Sequence, residues 1–275
     1  MSVREAIAAA CARLAAVGAT PRLDAELLMA HALGVEREKM LLRSMNEPAP
    51  EGFAALVERR LAHEPVAYIV GRRAFWTIEL EVGPGVLIPR PDSESLIEAA
   101  VERFGTAGPR RILDLGTGPG TLLLAALDQW PEASGVGVDA SEEALAYAGR
   151  NAERLGLSAR AQFRLGDWGE GLAERFDLVL ANPPYVEAGA PLAQDVAGWE
   201  PALALYAGGD GLACHRAIAA QLADLLAPGG IASVEIGAGQ EDAARRLYEA
   251  AAFAVSARRD LAGTPRCLLL APSPS

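Results

Sequence analysis

From about Arg90 onward the chain alternates short apolar runs with helical stretches, and this rhythm restricts the possible folds more than any other feature. Arg111 to Leu115, Gly135 to Val138, Ala161 to Leu165, Phe176 to Ala181 and Ile231 to Ile236 read as strands, with helices near 118–128, 141–155, 211–226 and 239–251 between them. Strands separated by helices pair mainly in parallel, because each connection is long enough to cross back over the sheet, and the helices then cover both faces. The expected architecture is α/β, with ligands seated beyond the carboxyl ends of the strands.

Upstream the period is different. Ser2-Val3-Arg4-Glu5 has the spacing of a capping box, after which Ile7, Cys11 and Leu14 recur on one helical face until Gly18. Pro21 opens a second helical pattern closed by Gly34, and residues 36–44 and 51–63 read as two more short helices. Residues 1–65 are therefore expected to form a small all-α domain. Trp76, Ile78, Leu80 and Val82 then alternate with Thr77, Glu79 and Glu81, the period of a half-buried strand. Val66 to Val70 is expected to pair with it, giving a β-hairpin linker over 66–89 with Gly83-Pro84-Gly85 as exit turn, and a second domain over 90–275. The tail Ala271 to Ser275 reads as low-complexity.

Charge narrows the function. The chain carries 25 basic and 36 acidic side chains. Residues 1–70 hold 8 and 9 of these, leaving 17 against 27 in the part that bears the motifs. A protein that tracks a phosphate backbone normally presents a basic surface, so no direct nucleic-acid partner is expected. The three cysteines Cys11, Cys214 and Cys267 are odd in number and far apart, which suits a reducing cytoplasm. Neither an export signal nor an apolar run of membrane-spanning length is visible, so no membrane partner is expected. His31, His63 and His215 lack ligand spacing, and no metal is expected.

Ile112 to Gly120 is a buried strand running into a glycine-rich turn and a helix, Gly116-Thr117-Gly118-Pro119-Gly120 allowing tight backbone geometry and close approach of a ligand. Asp139 closes the next strand, where doubly wound folds place an acid that accepts from ribose hydroxyls; capping the following helix is its bland alternative, although Ser141 can do that. The loop lacks the G-x-G-x-x-G spacing of dinucleotide enzymes and the Lys-Ser/Thr ending of a phosphate loop. A cofactor with a ribose but no phosphate, such as S-adenosylmethionine, matches both the loop and the acidity around it. Asp167-Trp168 follows the third strand at the same rim, where Trp168 can lie beside an adenine ring and Asp167 can accept from its amino group, unless the tryptophan simply packs.

Phe176 to Tyr185 is a buried strand ending in Asn182-Pro183-Pro184-Tyr185. Two prolines cannot continue a central strand and force a rigid turn. The backbone carbonyls there, the Asn182 side chain and the flat ring of Tyr185 suit a planar NH₂ group conjugated to a π system. Such a nitrogen is a poor nucleophile. Holding both its N–H bonds with two acceptors, Asn182 and the Pro183 carbonyl, draws electron density to nitrogen and aims its lone pair at a methyl carbon, which is catalysis by positioning.

With these residues the chain resembles the HemK/PrmC release-factor glutamine methyltransferases nearly end to end. The resemblance rests on Pro65 to Gly71 and Phe75, Leu87-Ile88-Pro89-Arg90-Pro91-Asp92-Ser93-Glu94, Asp114 to Gly120, Asn182 to Tyr185, Glu200-Pro201, Gly208 to Leu212, and Glu235-Ile236-Gly237 with Gln240. It implies a Rossmann-like methyltransferase domain and an N-terminal domain that docks substrate. It also implies methylation of the side-chain amide of the glutamine in the Gly-Gly-Gln loop of peptide-chain release factors, with S-adenosylmethionine as donor and S-adenosylhomocysteine as product, and the chain is expected to act as a monomer. By position, Gly116 to Gly120, Asp139, Trp168 and Asn182 would bind the cofactor, and Asn182 to Tyr185 the glutamine. Pro119 stands where serine is common in the family and Ser93 where threonine is common, and Pro119 removes a hydroxyl and an N–H from the loop.

Arg90 and Glu94 read first as parts of a helix start, with Asp92 or Ser93 as its cap. A rival reading of the tetrapeptide is an adenine N6 amino-methyltransferase acting on DNA or RNA, which calls for a basic groove that residues 71–275 do not offer. A scaffold that kept the fold without the chemistry would show decay in the glycine loop or the tetrapeptide, and both are intact.

Overall fold

The structure, a computed structural model, describes residues 1–260 and 263–273. The chain divides into two compact units, Met1–Arg72 with Leu192–Glu200, and Arg73–Pro191 with Pro201–Ser275.

The first unit is helical: α1 (Val3–Leu14), α2 (Pro21–Leu33), α3 (Arg37–Arg43), α4 (Phe53–Leu61) and α5 (Val66–Val70). The capping box forms at α1, Ser2 accepting from the Glu5 N–H while the Glu5 carboxylate accepts from the Ser2 N–H. Helix α1 ends at Leu14, before Gly18, whereas α2 starts at Pro21 and stops where Gly34 turns left-handed. Ile7, Leu14, Leu28, Met29 and Met40 are fully buried between the helices. Arg60 is buried with them, 3.0 Å from Asp24 and 3.3 Å from Asp195 of the returning segment.

Val66 to Val70 is a helix, not the expected strand. Tyr68 and Ile69 donate backbone N–H groups to the Pro65 carbonyl, and Gly71 ends the turn at a φ of 76°. Val66, Ile69 and Val70 all pack on the helical core, so β-branched composition yields to tertiary burial.

The second unit begins with a two-stranded sheet of β1 (Arg72–Phe75) and β2 (Ile78–Glu81), joined by Trp76 and Thr77. The hairpin is therefore shorter than expected and Trp76 lies in its turn, not its strand. A single 3-10 turn over Pro91–Ser93 leads into α6 (Glu94–Phe104). There follow β3 (Arg111–Leu115), α7 (Thr121–Gln129), β4 (Ser134–Asp139), α8 (Glu142–Arg154), β5 (Ala161–Leu165) and β6 (Phe176–Ala181). After the short α9 (Gln194–Ala197) of the first unit come α10 (Ala213–Leu225), β7 (Leu226–Glu235), α11 (Glu241–Ala250), β8 (Phe253–Arg259) and β9 (Pro265–Pro272).

The strands form one sheet in the order β5-β4-β3-β6-β7-β9-β8, parallel through β7, with β9 antiparallel to β7 and to β8. The closing antiparallel pair β8 and β9 is absent from the sequence reading. Ala271 and Pro272 belong to β9 rather than to a loose tail, and Pro274 and Ser275 lie outside the described residues. Because β4 and β5 lie on one side of β3 and β6 and β7 on the other, the chain reverses its winding at β3. The register sets Leu115 opposite Val138 on one side and Ala181 on the other. Gly116, Asp139 and Asn182 therefore open their loops at one edge, the place where doubly wound sheets bind ligands. Leu113, Val136, Phe176 and Val179 from the sheet, with Ile218, Leu222 and Tyr248 from α10 and α11, fill the core that holds this edge rigid.

Candidate active site

A cavity of about 290 Å³ opens at that edge. Gly116, Thr117, Gly118, Pro119, Asp139, Trp168, Asn182 and Pro184 line it. Gly120, Pro183 and Tyr185 are not among the lining residues.

The loop after β3 is built by backbone bonds. Gly116 and Thr117 both donate to the Val138 carbonyl, at 2.9 and 3.0 Å, and Gly118 donates to Asp139 Oδ2 at 2.8 Å. Gly118 sits at a φ of 56° with open space where a side chain would go. Gly120, at 87°, plays another part, because a Cβ there would lie 2.7 Å from Leu124 Cδ1; this glycine lets α7 begin. Asn151 of α8, fully buried, donates to the Pro119 carbonyl at 2.9 Å and exchanges two bonds with the Glu81 backbone, tying the loop to β2.

Two carboxylates face the cavity from this region. Asp139 accepts from Gly118 on Oδ2 and from Ser141 on Oδ1, while Ser141 itself caps α8, so Asp139 is not the cap. Burial pushes its carboxyl up and the backbone bonds pull it down. Asp114, in contact with the cavity but passed over as a site residue, takes Thr117 Oγ1 at 2.6 Å and the Leu123 N–H at 3.1 Å, both on Oδ2. Its Oδ1 is buried without a partner among the described residues, and burial pushes the carboxyl up to about 7. An orphaned carboxyl oxygen, a second acid with spare lone pairs and Asp167 make an acidic acceptor set, which fits a ligand carrying ammonium and sulfonium charge as well as ribose hydroxyls. Among the described residues no group of three or more His, Cys, Asp or Glu side chains could hold a metal ion.

Trp168 has a left-handed backbone, φ 52°, which a bulky residue adopts only under constraint from its surroundings. The constraint places its ring over Gly116, where a Cβ would approach the ring to 3.5 Å.

Asn182 to Tyr185 leaves β6 as an irregular segment, not as the turn expected from its two prolines, and its side chains are held by hydrogen bonds to Ser93, Glu235 and Gln240. Asn182 Nδ2 donates to Ser93 Oγ at 2.9 Å, Ser93 Oγ donates to Glu235 Oε2 at 2.5 Å, and Tyr185 Oη reaches Glu235 Oε1 at 3.3 Å. Gln240 donates to the Tyr185 carbonyl at 3.0 Å while accepting from Gly237 at 2.9 Å. No donor among the described residues reaches Asn182 Oδ1 or the Pro183 carbonyl. Burial, then the nearby Glu235 charge, pushes Tyr185 up to about 12, so it remains a phenol. Ser93 does not cap α6, as its hydroxyl is committed to Glu235. Glu94 accepts from the Trp76 N–H, and Arg90 lines the cavity. Ser93 and Glu235 stand in the family motifs, but nothing in the sequence pairs them.

Residues 5–71 match the family model described as PrmC N-terminal domain, and residues 109–250 match one described as Methyltransferase domain. The release factor glutamine methyltransferase of Rhodospirillum rubrum is 44% identical over 255 residues, covering 90% of this chain and 78% of its own length. That of Cereibacter sphaeroides is 44% identical over 274 residues, covering 97% of each chain. Among solved structures, the T. thermophilus 16S rRNA N2 G1207 methyltransferase in complex with AdoMet and guanosine superposes with a TM-score of 0.53 at 26% identity, over 74% of this chain and 50% of that one. The chain, with its two matched regions and 44% identity to the Rhodospirillum rubrum and Cereibacter sphaeroides proteins, belongs to the release factor glutamine methyltransferase family.

Proposed function

We propose that the protein transfers a methyl group from S-adenosylmethionine to the side-chain amide nitrogen of the glutamine in the Gly-Gly-Gln loop of a peptide-chain release factor. One observation carries this reading: an amide oxygen, Asn182 Oδ1, stands unpaired on a residue that lines an acidic cavity, held there by a bond to its own nitrogen. Relatives 44% identical over nearly the whole chain are release factor glutamine methyltransferases, which supports the substrate.

When bound, the cofactor supplies a methyl carbon made electrophilic by sulfonium. Gly116, Thr117, Gly118, Pro119, Asp139, Trp168 and Asn182, which line the cavity, would hold it, and Asp114 joins them. Gly120 contributes by starting α7. Asn182 Oδ1 and the Pro183 carbonyl accept the two N–H bonds of the glutamine amide, Pro184 fixes the segment, and Tyr185 gives a flat wall anchored through Glu235 and Gln240. Acceptors aimed at both hydrogens favour the geometry in which nitrogen, rather than the carbonyl oxygen, is presented for reaction. The helical unit docks the factor, and the reaction takes place in the cytoplasm without a metal.

The test is transfer of labelled methyl to a purified release factor, beside a factor whose loop glutamine is alanine and a DNA duplex. Label on the unaltered factor alone is expected. Label on the duplex alone would replace this reading with base methylation.

A further inference from the structure

An amide side chain is useful to the acceptor only one way round. With its oxygen forward, Asn182 accepts from the substrate NH₂; turned over, it sets one NH₂ against another and leaves both without a partner. The structure decides between the two by hydrogen-bond polarity. Glu235, at the end of β7, is 1% exposed, and Ser93, at the end of the 3-10 turn before α6, is likewise 1% exposed. As a carboxylate, Glu235 can only accept, so the Ser93 hydroxyl must donate to it and is left with lone pairs alone for Asn182. Asn182 must then turn its nitrogen to Ser93 at 2.9 Å and its oxygen away.

We propose that Ser93 and Glu235 are positioning residues which, through this one-way chain, hold the Asn182 amide with its oxygen toward the acceptor nitrogen. The inference rests on the amide-methylating reading above.

The chain runs Asn182 N–H to Ser93 O–H to Glu235, and Tyr185 O–H ends on the other oxygen of the same carboxylate. All three links point inward to one charge. Protonating Glu235 removes the polarity: the carboxyl can donate to Ser93, whose hydroxyl then turns to Asn182 and calls for its oxygen. Groups facing Glu235 from every neighbouring element are Ser93 and Asp92 of the 3-10 turn, Tyr185 of the segment after β6, and Arg266 and Cys267 of β9. Arg266 is itself shared between Asp92 at 3.0 Å and Asp260 at 3.2 Å. Burial, the largest influence, holds the Glu235 carboxyl at about 7, within reach of a kinetic pH profile.

The experiment is steady-state methyl transfer to a release factor from pH 5.5 to 9, with cofactor affinity by calorimetry, for the wild type, Ser93→Ala, Ser93→Thr and Glu235→Gln. Ser93→Ala is expected to lower kcat/KM by about 10- to 100-fold, the range for losing an outer partner that orients a contacting group, with cofactor affinity within about twofold. Ser93→Thr, which keeps the hydroxyl, restores most of the loss. The wild type gains activity as pH rises through about 7. Glu235→Gln, an acceptor that does not titrate, is slower at pH 8 and lacks that rise. Ser93→Ala as fast as wild type, or a rise that survives in Glu235→Gln, overturns the inference; the second outcome assigns the rise to Asp114. Should Ser93→Ala fail to fold, the Glu235→Gln profile decides alone. A wild type that methylates no glutamine overturns the functional reading first, and this inference with it.

Discussion

In the proposed reaction Asn182 has two roles at one position, contact with the cavity and acceptance of a substrate N–H, and removing its side chain tests them together. Asn182→Ala is expected to lower the transfer rate by about 10²–10³, the usual cost of deleting one preorganised partner of a reacting group. Asp139→Ala is expected to weaken cofactor binding by about 10- to 100-fold in calorimetry, the value of hydrogen bonds to a charged acceptor. Glu235 shows the cost of such a site. Its carboxyl is raised from 4.5 to about 7, so the folded state holds a proton that the unfolded chain gives up. Stability from this group is present below pH 4.5 and is lost as pH rises through about 7. Glu235→Gln is therefore predicted to be the more stable protein at pH 8, by on the order of 3 kcal/mol, with the gap closing toward pH 4.5 in paired denaturant titrations. Asn182 and Asp139 were legible because each ends a strand inside a short local motif. Ser93 and Glu235 were not, since the bond between them joins residues 142 apart and depends on α6 meeting β7.

The five parallel strands and the helices between them follow from period and length, so they could be read before any coordinates. Val66 to Val70 misled because five residues are too few for helical and strand periods to differ, and the choice falls to what the side chains pack on. Strands β8 and β9 were missed for another reason: Ala254, Ser256 and Ala257 lack the bulk that marks a strand, and in β9 the charged Arg266 is followed by apolar residues from Cys267 to Ala271 that show no alternation. Elements also decide what the glycine loop tolerates. Gly118→Ala, at a positive φ but facing open space, should cost about 1 kcal/mol in a thermal melt. Gly120→Ala, which adds a collision with Leu124, should cost about 2–4 kcal/mol. The fully buried Asn151 joins β2, α8 and the loop through three bonds, so Asn151→Ala should both destabilise the fold and weaken cofactor binding.

Across the whole molecule the acidic balance, net charge −11, agrees with a cationic small-molecule donor and a protein rather than nucleic-acid acceptor. Each unit has its own core, and the second contains every residue assigned to the cavity. Among the described residues no helix is long and apolar enough to cross a membrane. The helical core could be read from the sequence, but the return of Leu192–Glu200 to it could not, because the Arg60 to Asp195 contact spans 135 residues. In the proposed reaction the asparagine at the end of β6 presents the glutamine amide for methylation. Mass spectrometry of a release factor treated with the wild type and with Asn182→Ala tests this most directly. One added methyl group is predicted, on the side-chain nitrogen of the Gly-Gly-Gln glutamine, and almost none with Asn182→Ala. A methyl group on any other residue, or equal modification by both proteins, would contradict it.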